Sequence, residues 1–347
     1  MPVTVVVGGQ FGSEGKGKVA HFMAQQMGAT VAVRVGGSNS GHTVVDTSGA
    51  PIILRQLPTA AILSETICIL PAGSYIDPDI LLDEVGRTGL AADRLLIDPN
   101  AMLITAQEHL REQTGSLRST IGSTLSGTGA AVCRRIDRDL SVQLAKHDHR
   151  LSKYIKPAVP FMRTRLTAGE RIIIEGTQGF GLSLLHSTDY PFVTSRDTTA
   201  AAFVSEAGLS PLDIDDIILV LRTFPIRVAG NSGSLPREVD WKTVSTYAES
   251  AFPIIERTSV THLERRVARF HPYIVQQAIA ANMPTQIVLN HLDYIDNSCQ
   301  SLGGLTQKAY SFVERVEKLI GAPINYLGLS PSSLICNQQI KNEVSSL

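Results

Sequence analysis

Residues 3 to 7 read Val-Thr-Val-Val-Val and pass directly into Gly-Gly-Gln-Phe-Gly-Ser-Glu-Gly-Lys-Gly-Lys at residues 8 to 18. This junction constrains the fold more than any other stretch. A buried strand that feeds a glycine-rich turn and then a helix builds a cradle for phosphate. Main-chain N–H groups converge on the anion there, and the helix N-terminus adds a favourable dipole. Residues 12 to 18 keep the spacing Gly-x-x-x-x-Gly-Lys, but Val19 stands where such a loop carries the Ser or Thr that holds magnesium. A metal ion here needs another ligand. Ordering two lysines within so glycine-rich a loop is costly unless an anion binds.

Further along, apolar runs at 30–35, 52–57, 67–70, 95–97, 171–174, 216–221 and 286–289 are rich in Ile, Val and Leu and show little polar alternation. Such runs suit strands covered on both faces. Amphipathic stretches at 19–27, 80–87, 198–207 and 307–319 lie between them. The alternation predicts an α/β fold with a mostly parallel central sheet flanked by helices. No repeat or linker interrupts it, so residues 1–347 read as one domain with long functional loops. Residues 227–240 are the most loop-like of these, and 257–269 the most basic.

Lys and Arg total 31 against 32 for Asp and Glu, so no bulk charge favours nucleic acid or a membrane surface. The four cysteines, Cys68, Cys133, Cys299 and Cys336, are widely separated. That spacing argues against zinc and against a disulfide framework, and for a reducing compartment. No N-terminal signal is expected, because Pro2 leads into a strand, and no segment has the roughly 20 apolar residues that cross a bilayer. The expected location is the cytoplasm.

Five further segments carry chemistry. Residues 35–43 (Val-Gly-Gly-Ser-Asn-Ser-Gly-His-Thr) form a second glycine-rich turn, and residues 175–179 read Glu-Gly-Thr-Gln-Gly. Residues 189–199, Thr258-Ser-Val-Thr-His-Leu-Glu-Arg-Arg-Val267 and Leu289-Asn-His-Leu-Asp293 follow. Each is weak alone, but in this order they are specific. The chain resembles adenylosuccinate synthetase from residue 3 to about residue 335. The resemblance implies a phosphate-loop-related fold and a homodimer with shared active sites. It also implies a magnesium-dependent ligase in which the γ-phosphate of a nucleoside triphosphate activates purine O6 and the L-aspartate amine then displaces it.

Carried over residue by residue, the resemblance makes Gly12, Glu14, Gly15, Lys16, Gly17, Lys18, Gly41, His42 and Thr43 the phosphate-binding group. Ser13, Lys16, His42 and Gln178 become catalytic positions, and Ser13 and Gly41 metal positions. Ser13, Asn39, Thr124, Arg134, Arg135, Gln178, Thr194, Arg227 and Val228 would hold the purine monophosphate. Arg134 or Arg135 would reach the partner subunit. Thr258, Ser259, Val260, Thr261 and Arg265 would receive aspartate, with Arg265 as the fork donor. Asn290, His291, Asp293 and Pro331 would surround the donor base.

Three departures from the family pattern narrow the substrate. Ser13 replaces an aspartate that removes the N1 proton of inosinate, and a neutral hydroxyl leaves room for a purine 2-amino group. His262-Leu263 replaces Gly-Arg near the sugar, which suits a missing 2′-hydroxyl. His291 replaces a lysine, and residues 330–333 (Ser-Pro-Ser-Ser) replace a charged turn, which opens the donor site to ATP. These changes, and the short chain, resemble the phage-type 2-aminoadenylosuccinate branch of the family. In that branch aspartate is joined to dGMP on the route to 2-aminoadenine in phage DNA, in the host cytoplasm if the chain is phage-encoded. The alternatives are IMP with GTP as in ordinary purine synthesis, a non-catalytic purine-nucleotide-binding paralogue, and a generic phosphate-loop ATPase.

Overall fold

The computed structural model describes residues 2–46, 48–258, 262–302 and 304–338. A nine-stranded sheet forms the centre. Its order is Ile335–Cys336, Tyr326–Leu327, Gln286–Asn290, Ile214–Arg222, Val3–Gly8, Ile172–Glu175, Val31–Arg34, Ile67–Leu70 and Leu95–Ile97. Each neighbouring pair is parallel except Tyr326–Leu327 with Ile335–Cys336. The strand Val3–Gly8 is central, with Val5 opposite Ile217 on one side and Ile174 on the other.

Strand residues alternate between the two faces, and both faces are covered. Val3, Val5 and Val7 pack with Ile174, Phe203 and Val275. Val6 faces the opposite layer, with Ile173, Val220 and the helical residues Val19, Ala20 and Met23. Each such Val or Ile contributes about 1.5–3 kcal/mol when fully buried. This explains why these strands read as unbroken apolar runs.

The helices Lys16–Met27, Pro78–Thr88, Ala200–Ala207 and Gln307–Ile320 arise where the amphipathic stretches predict them. The apolar run 52–57 is a correction. Its first residues belong to the strand Pro51–Leu54, which pairs antiparallel with His42–Val45, outside the large sheet. Asp46 closes that hairpin by accepting N–H bonds from Ser48 and Ala50 at 2.8 and 2.9 Å. The loop-like segment 227–240 is flanked by short strands, Ile226–Arg227 and Glu238–Val239, that pair with Arg266–Ala268.

Five parallel strands end together at one edge of the sheet, at Gly8, Arg34, Glu175, Arg222 and Asn290. Open α/β sheets gather ligands at this carboxyl edge. The described cysteines are free, and no helix among the described residues is long and apolar enough to cross a membrane.

Candidate active site

The loop after Val3–Gly8 turns through left-handed conformations at Gly12 (φ 86°), Ser13 (φ 55°) and Gly15 (φ 87°) and enters the helix Lys16–Met27. Gly15 begins that helix without a side-chain cap, so its first N–H groups are free for an anion. A Cβ at Gly15 would stand 2.8 Å from Asn290 Nδ2. A Cβ at Gly17 would meet the His42 Cβ at 2.7 Å. Glycine at these positions lets the loop seat against the adjoining strand end and brings His42 onto the first helical turn.

Glu14 is fully buried and turns inward. The N–H groups of Gln10 and Gly12 donate to its Oε1 at 3.1 and 2.8 Å, and Lys16 Nζ donates to its Oε2 at 2.6 Å. Its carboxylate thus braces the loop from within. Asn290 is a second brace, donating from Nδ2 to the Glu14 carbonyl at 2.8 Å.

Lys18 is also redirected. Its ammonium donates to the carbonyls of Ser330 and Ser333 at 3.0 and 3.2 Å. Two residues along a helix turn a side chain by roughly 200°, so Lys16 and Lys18 leave opposite sides of the same turn. Lys16 stays with the cradle, and Lys18 supports the wall formed by Asn290, Asp293 and the Pro331 turn. Burial lowers the Lys18 pKa to about 8, although Asp293 opposes the shift.

His42 joins a buried cluster that motif reading did not resolve. Glu175 Oε1 accepts from Arg34 Nη1 at 2.6 Å and from His42 Nδ1 at 2.5 Å. Thr59 N–H donates to Oε2 at 2.7 Å, and the Thr59 hydroxyl lies 2.8 Å from it. Arg34 Nη1 also lies against His42 Nδ1, so that nitrogen stands between a guanidinium donor and the Glu175 carboxylate. With the carboxylate as its acceptor Nδ1 carries the proton of neutral His42, and Nε2 is left buried and without a protein partner. Burial, reinforced by Arg34, pushes the imidazole down to about 3 against the pull of Glu175. Glu175 lies inside the quoted 175–179 motif, but Arg34 and Thr59 carried no signal in the sequence.

Gln178 has a left-handed backbone (φ 60°), and its Oε1 lies 3.6 Å from where a Gly12 Cβ would stand. Ser13 is exposed beside it. Leu182 also approaches Gly12, and its carbonyl accepts the Thr194 N–H at 2.8 Å. Near Thr124, a Cβ built on Gly122 would lie 3.4 Å from Val228, so the 122–124 and 228–232 loops meet. Asn39 and Gly41 lie on the loop that leads into the His42 strand, with Gly41 exposed. Thr43 is exposed one residue beyond His42.

Several arginines bind the protein itself. Arg134 donates to Asp139 Oδ2 at 3.0 Å, to Ser141 Oγ at 2.7 Å and to Glu108. It is buried within its own chain. Arg135 donates to the carbonyls of Ala72 and Asn100. Arg227 pairs with Asp189 at 2.5 Å, donates to the Ser232 carbonyl and stacks over Phe11. Burial lowers its pKa to about 10.

In the aspartate loop, Ser259, Val260 and Thr261 lie outside the described residues. Thr258 is buried, and its N–H donates to the Leu263 carbonyl at 2.9 Å. Arg265 lies close to Glu256 and Arg222, and Trp241 Nε1 donates to its carbonyl at 2.7 Å. At the donor wall, His291 is left-handed (φ 66°) and is pushed down to about 3 by burial and Arg222. Asp293 is raised to about 6 by burial, with Gln300 holding Oδ2 at 2.8 Å and Oδ1 unpartnered.

The family model described as adenylosuccinate synthetase matches residues 5–146 and 139–300. The adenylosuccinate synthetase of Methanocaldococcus jannaschii is 33% identical over 335 residues, which covers 94% of each chain. That of Thermococcus onnurineus is 33% identical over 338 residues, covering 95% of this chain and 96% of the other. These relatives are equally compact, so the short chain does not separate the phage-type branch from ordinary synthetases. The succinoaminodeoxyadenylate synthetase PurZ of cyanophage S-2L, solved with dGMP and with dATP as an energy donor, superposes with a TM-score of 0.83. It is 25% identical, and the match covers 99% of both chains. The fully ligated adenylosuccinate synthetase of Plasmodium falciparum also gives 0.83, at 18% identity, over 97% of this chain and 100% of that one.

Proposed function

This chain belongs to the adenylosuccinate synthetase family of C–N bond-forming ligases, and on that premise we propose that it joins L-aspartate to C6 of dGMP with ATP as the phosphoryl donor. The product would be N6-succino-2-amino-2′-deoxyadenylate. The observation that carries this reading is Ser13, an exposed, neutral residue at the turn of the phosphate loop. A carboxylate there would grip N1–H and the 2-amino group of a guanine together and stabilise the ground state, whereas a hydroxyl leaves space and one hydrogen-bond partner. The likeness to a solved relative bound to dGMP and dATP supports the same choice.

In the proposed reaction, the free N–H groups at the helix N-terminus and the Lys16 ammonium hold the donor phosphates. Purine O6 attacks the γ-phosphorus, the bond to the nucleoside diphosphate breaks and the N1 proton passes through solvent to His42 Nε2. The His42 Nε2 faces this chemistry without a protein partner. It takes a proton as phosphoryl charge arrives, and Glu175 behind Nδ1 stabilises the resulting imidazolium. The aspartate amine then attacks C6, the C6–O6 bond breaks and inorganic phosphate leaves. Arg265 and the Thr258 loop receive the aspartate carboxylates, and Gln178 and Thr194 border the acceptor.

No group of three His, Cys, Asp or Glu side chains suited to a metal occurs among the described residues. A magnesium ion held chiefly by the substrate phosphates would take the Gly41 carbonyl and the Ser13 hydroxyl as protein ligands. Magnesium would neutralise charge on the transferring phosphoryl group. We further read the enzyme as a homodimer acting in the cytoplasm.

The rival acceptor is IMP with GTP as donor, favoured by the names of the archaeal relatives. Mass spectrometry of a reaction containing both acceptors, both donors and nitrogen-15 aspartate separates the readings. The proposal requires the label in a 2-amino-deoxynucleotide, and label only in adenylosuccinate refutes it.

A further inference from the structure

Ser13 holds a left-handed backbone without being glycine (φ 55°). Such a conformation costs an L-residue about 1–2 kcal/mol and persists only where its surroundings over-determine it. The restraint comes from a residue that no motif singled out. Arg222, at the end of the strand Ile214–Arg222, has no exposed surface, and its Nη1 donates to the Ser13 carbonyl at 2.8 Å. The root of this arginine is clamped to the same loop. Its N–H donates to Gln10 Oε1 at 2.9 Å, and Gln10 Nε2 donates to its carbonyl at 3.1 Å.

Behind the guanidinium stands Glu256, which accepts from Arg222 Nη2 and from the Tyr294 hydroxyl, the latter at 2.9 Å. Burial acts to raise the Glu256 carboxyl, but Arg222, His291 and Arg265 together hold the group down to about 2. The carboxylate therefore stays charged and keeps Arg222 oriented. The Glu256 carbonyl also accepts the Arg265 N–H at 2.9 Å. One residue thus touches both the brace of the phosphate loop and the start of the proposed aspartate site.

We propose that Arg222, oriented by Glu256, is the positioning residue that fixes Ser13 against the acceptor purine. This rests on the reading above that Ser13 faces the N1 side of the acceptor. Arg222 contacts the Ser13 main chain and acts through it. Without that anchor, the penalised conformation of Ser13 loses the hydrogen bond to its own carbonyl and is left to the braces on Gly12 and Glu14. A displacement of about 1 Å at such a position lowers turnover by about 10²-fold.

A buried ion pair also supports folding, so R222M alone confounds the two effects by leaving Glu256 uncompensated. The double variant R222M/E256Q removes the orphan charge. Thermal unfolding, donor KM, acceptor kcat/KM and acceptor Kd by calorimetry are measured for wild type, R222M, R222M/E256Q and R222K, with dGMP and with IMP. The proposal expects melting to recover in the double variant while acceptor kcat/KM stays about 10²-fold low. Donor KM should rise far less than acceptor kcat/KM falls, because Lys16 and the helix N-terminus still hold the phosphates, and R222K, which keeps one donor for the Ser13 carbonyl, should regain part of the rate. If acceptor kcat/KM recovers together with melting, the pair is only structural and the proposal fails. If the wild type turns over IMP but not dGMP, the acceptor reading fails while the anchor is judged on IMP. If neither acceptor turns over, Kd decides, and equal acceptor affinity in wild type and double variant overturns the proposal.

Discussion

Glu175→Gln is the perturbation that most sharply separates the buried cluster from an ordinary ion pair. The Glu175 carboxylate is almost wholly buried and receives Arg34, His42 and Thr59 on its two oxygens. An amide has one acceptor oxygen and a donor NH₂ group, so one of these donors must face another donor. Arg34, itself buried, also loses its counter-charge. Removing one partner of a buried pair costs about 3–5 kcal/mol, a large share of the 5–15 kcal/mol typical of folded proteins. The same change removes the acceptor that keeps the His42 proton on Nδ1. If the imidazole moves that proton to Nε2, the nitrogen facing the phosphoryl group can no longer take one. Misplacing or losing such a general acid–base group costs about 10²–10⁴ in rate. Thermal unfolding and aspartate-dependent phosphate release check both effects. E175Q should melt several degrees lower and should still lack the rate at temperatures where it is folded. A folded variant with more than a tenth of wild-type turnover would refute the tautomer argument, and unchanged melting would refute the packing argument.

Lys16→Ala removes the ammonium that stays with the cradle, and turnover should fall about 10²–10³-fold; steady-state kinetics showing a loss below tenfold would remove Lys16 from phosphoryl transfer. Ser13→Asp should lower kcat/KM on dGMP at least about tenfold and shift preference toward IMP, and an unchanged or faster rate on dGMP would defeat the steric argument. His291 is held down to about 3 in the folded chain against 6.5 for a free histidine. Between those values the unfolded chain takes up a proton that the folded chain refuses, so stability falls as pH drops from about 6.5 toward 3. His291→Asn tolerates the left-handed backbone and removes this titration. Urea unfolding at pH 7 and pH 5 should show the variant losing about 2 kcal/mol less than wild type over that interval, and equal losses would contradict the assignment.

The strands were legible because a sheet covered on both faces demands unbroken apolar runs, and residues 3–7, 67–70 and 286–289 meet that demand. The run 52–57 misled because an apolar hairpin strand has the same composition, and only pairing distinguishes the two. The cradle was legible because its glycines, Lys16 and His42 come in a specific order. The direction of each side chain was not. Lys18 shares the motif with Lys16, yet the helical turn sends it to the opposite wall, and Glu14 folds inward because the loop's own N–H groups claim it. Arg34 meets Glu175 across 141 positions, and Arg222 meets Ser13 across 209. Those contacts are created by the sheet order, and no local spacing encodes them.

Phosphate release from the purified protein with magnesium, L-aspartate and ATP, comparing dGMP with IMP, tests the central claim most directly. The account predicts release that depends on aspartate and on dGMP, with little from IMP. Release that requires IMP and GTP instead, with dGMP inert, would contradict it and return the enzyme to ordinary adenylosuccinate synthesis.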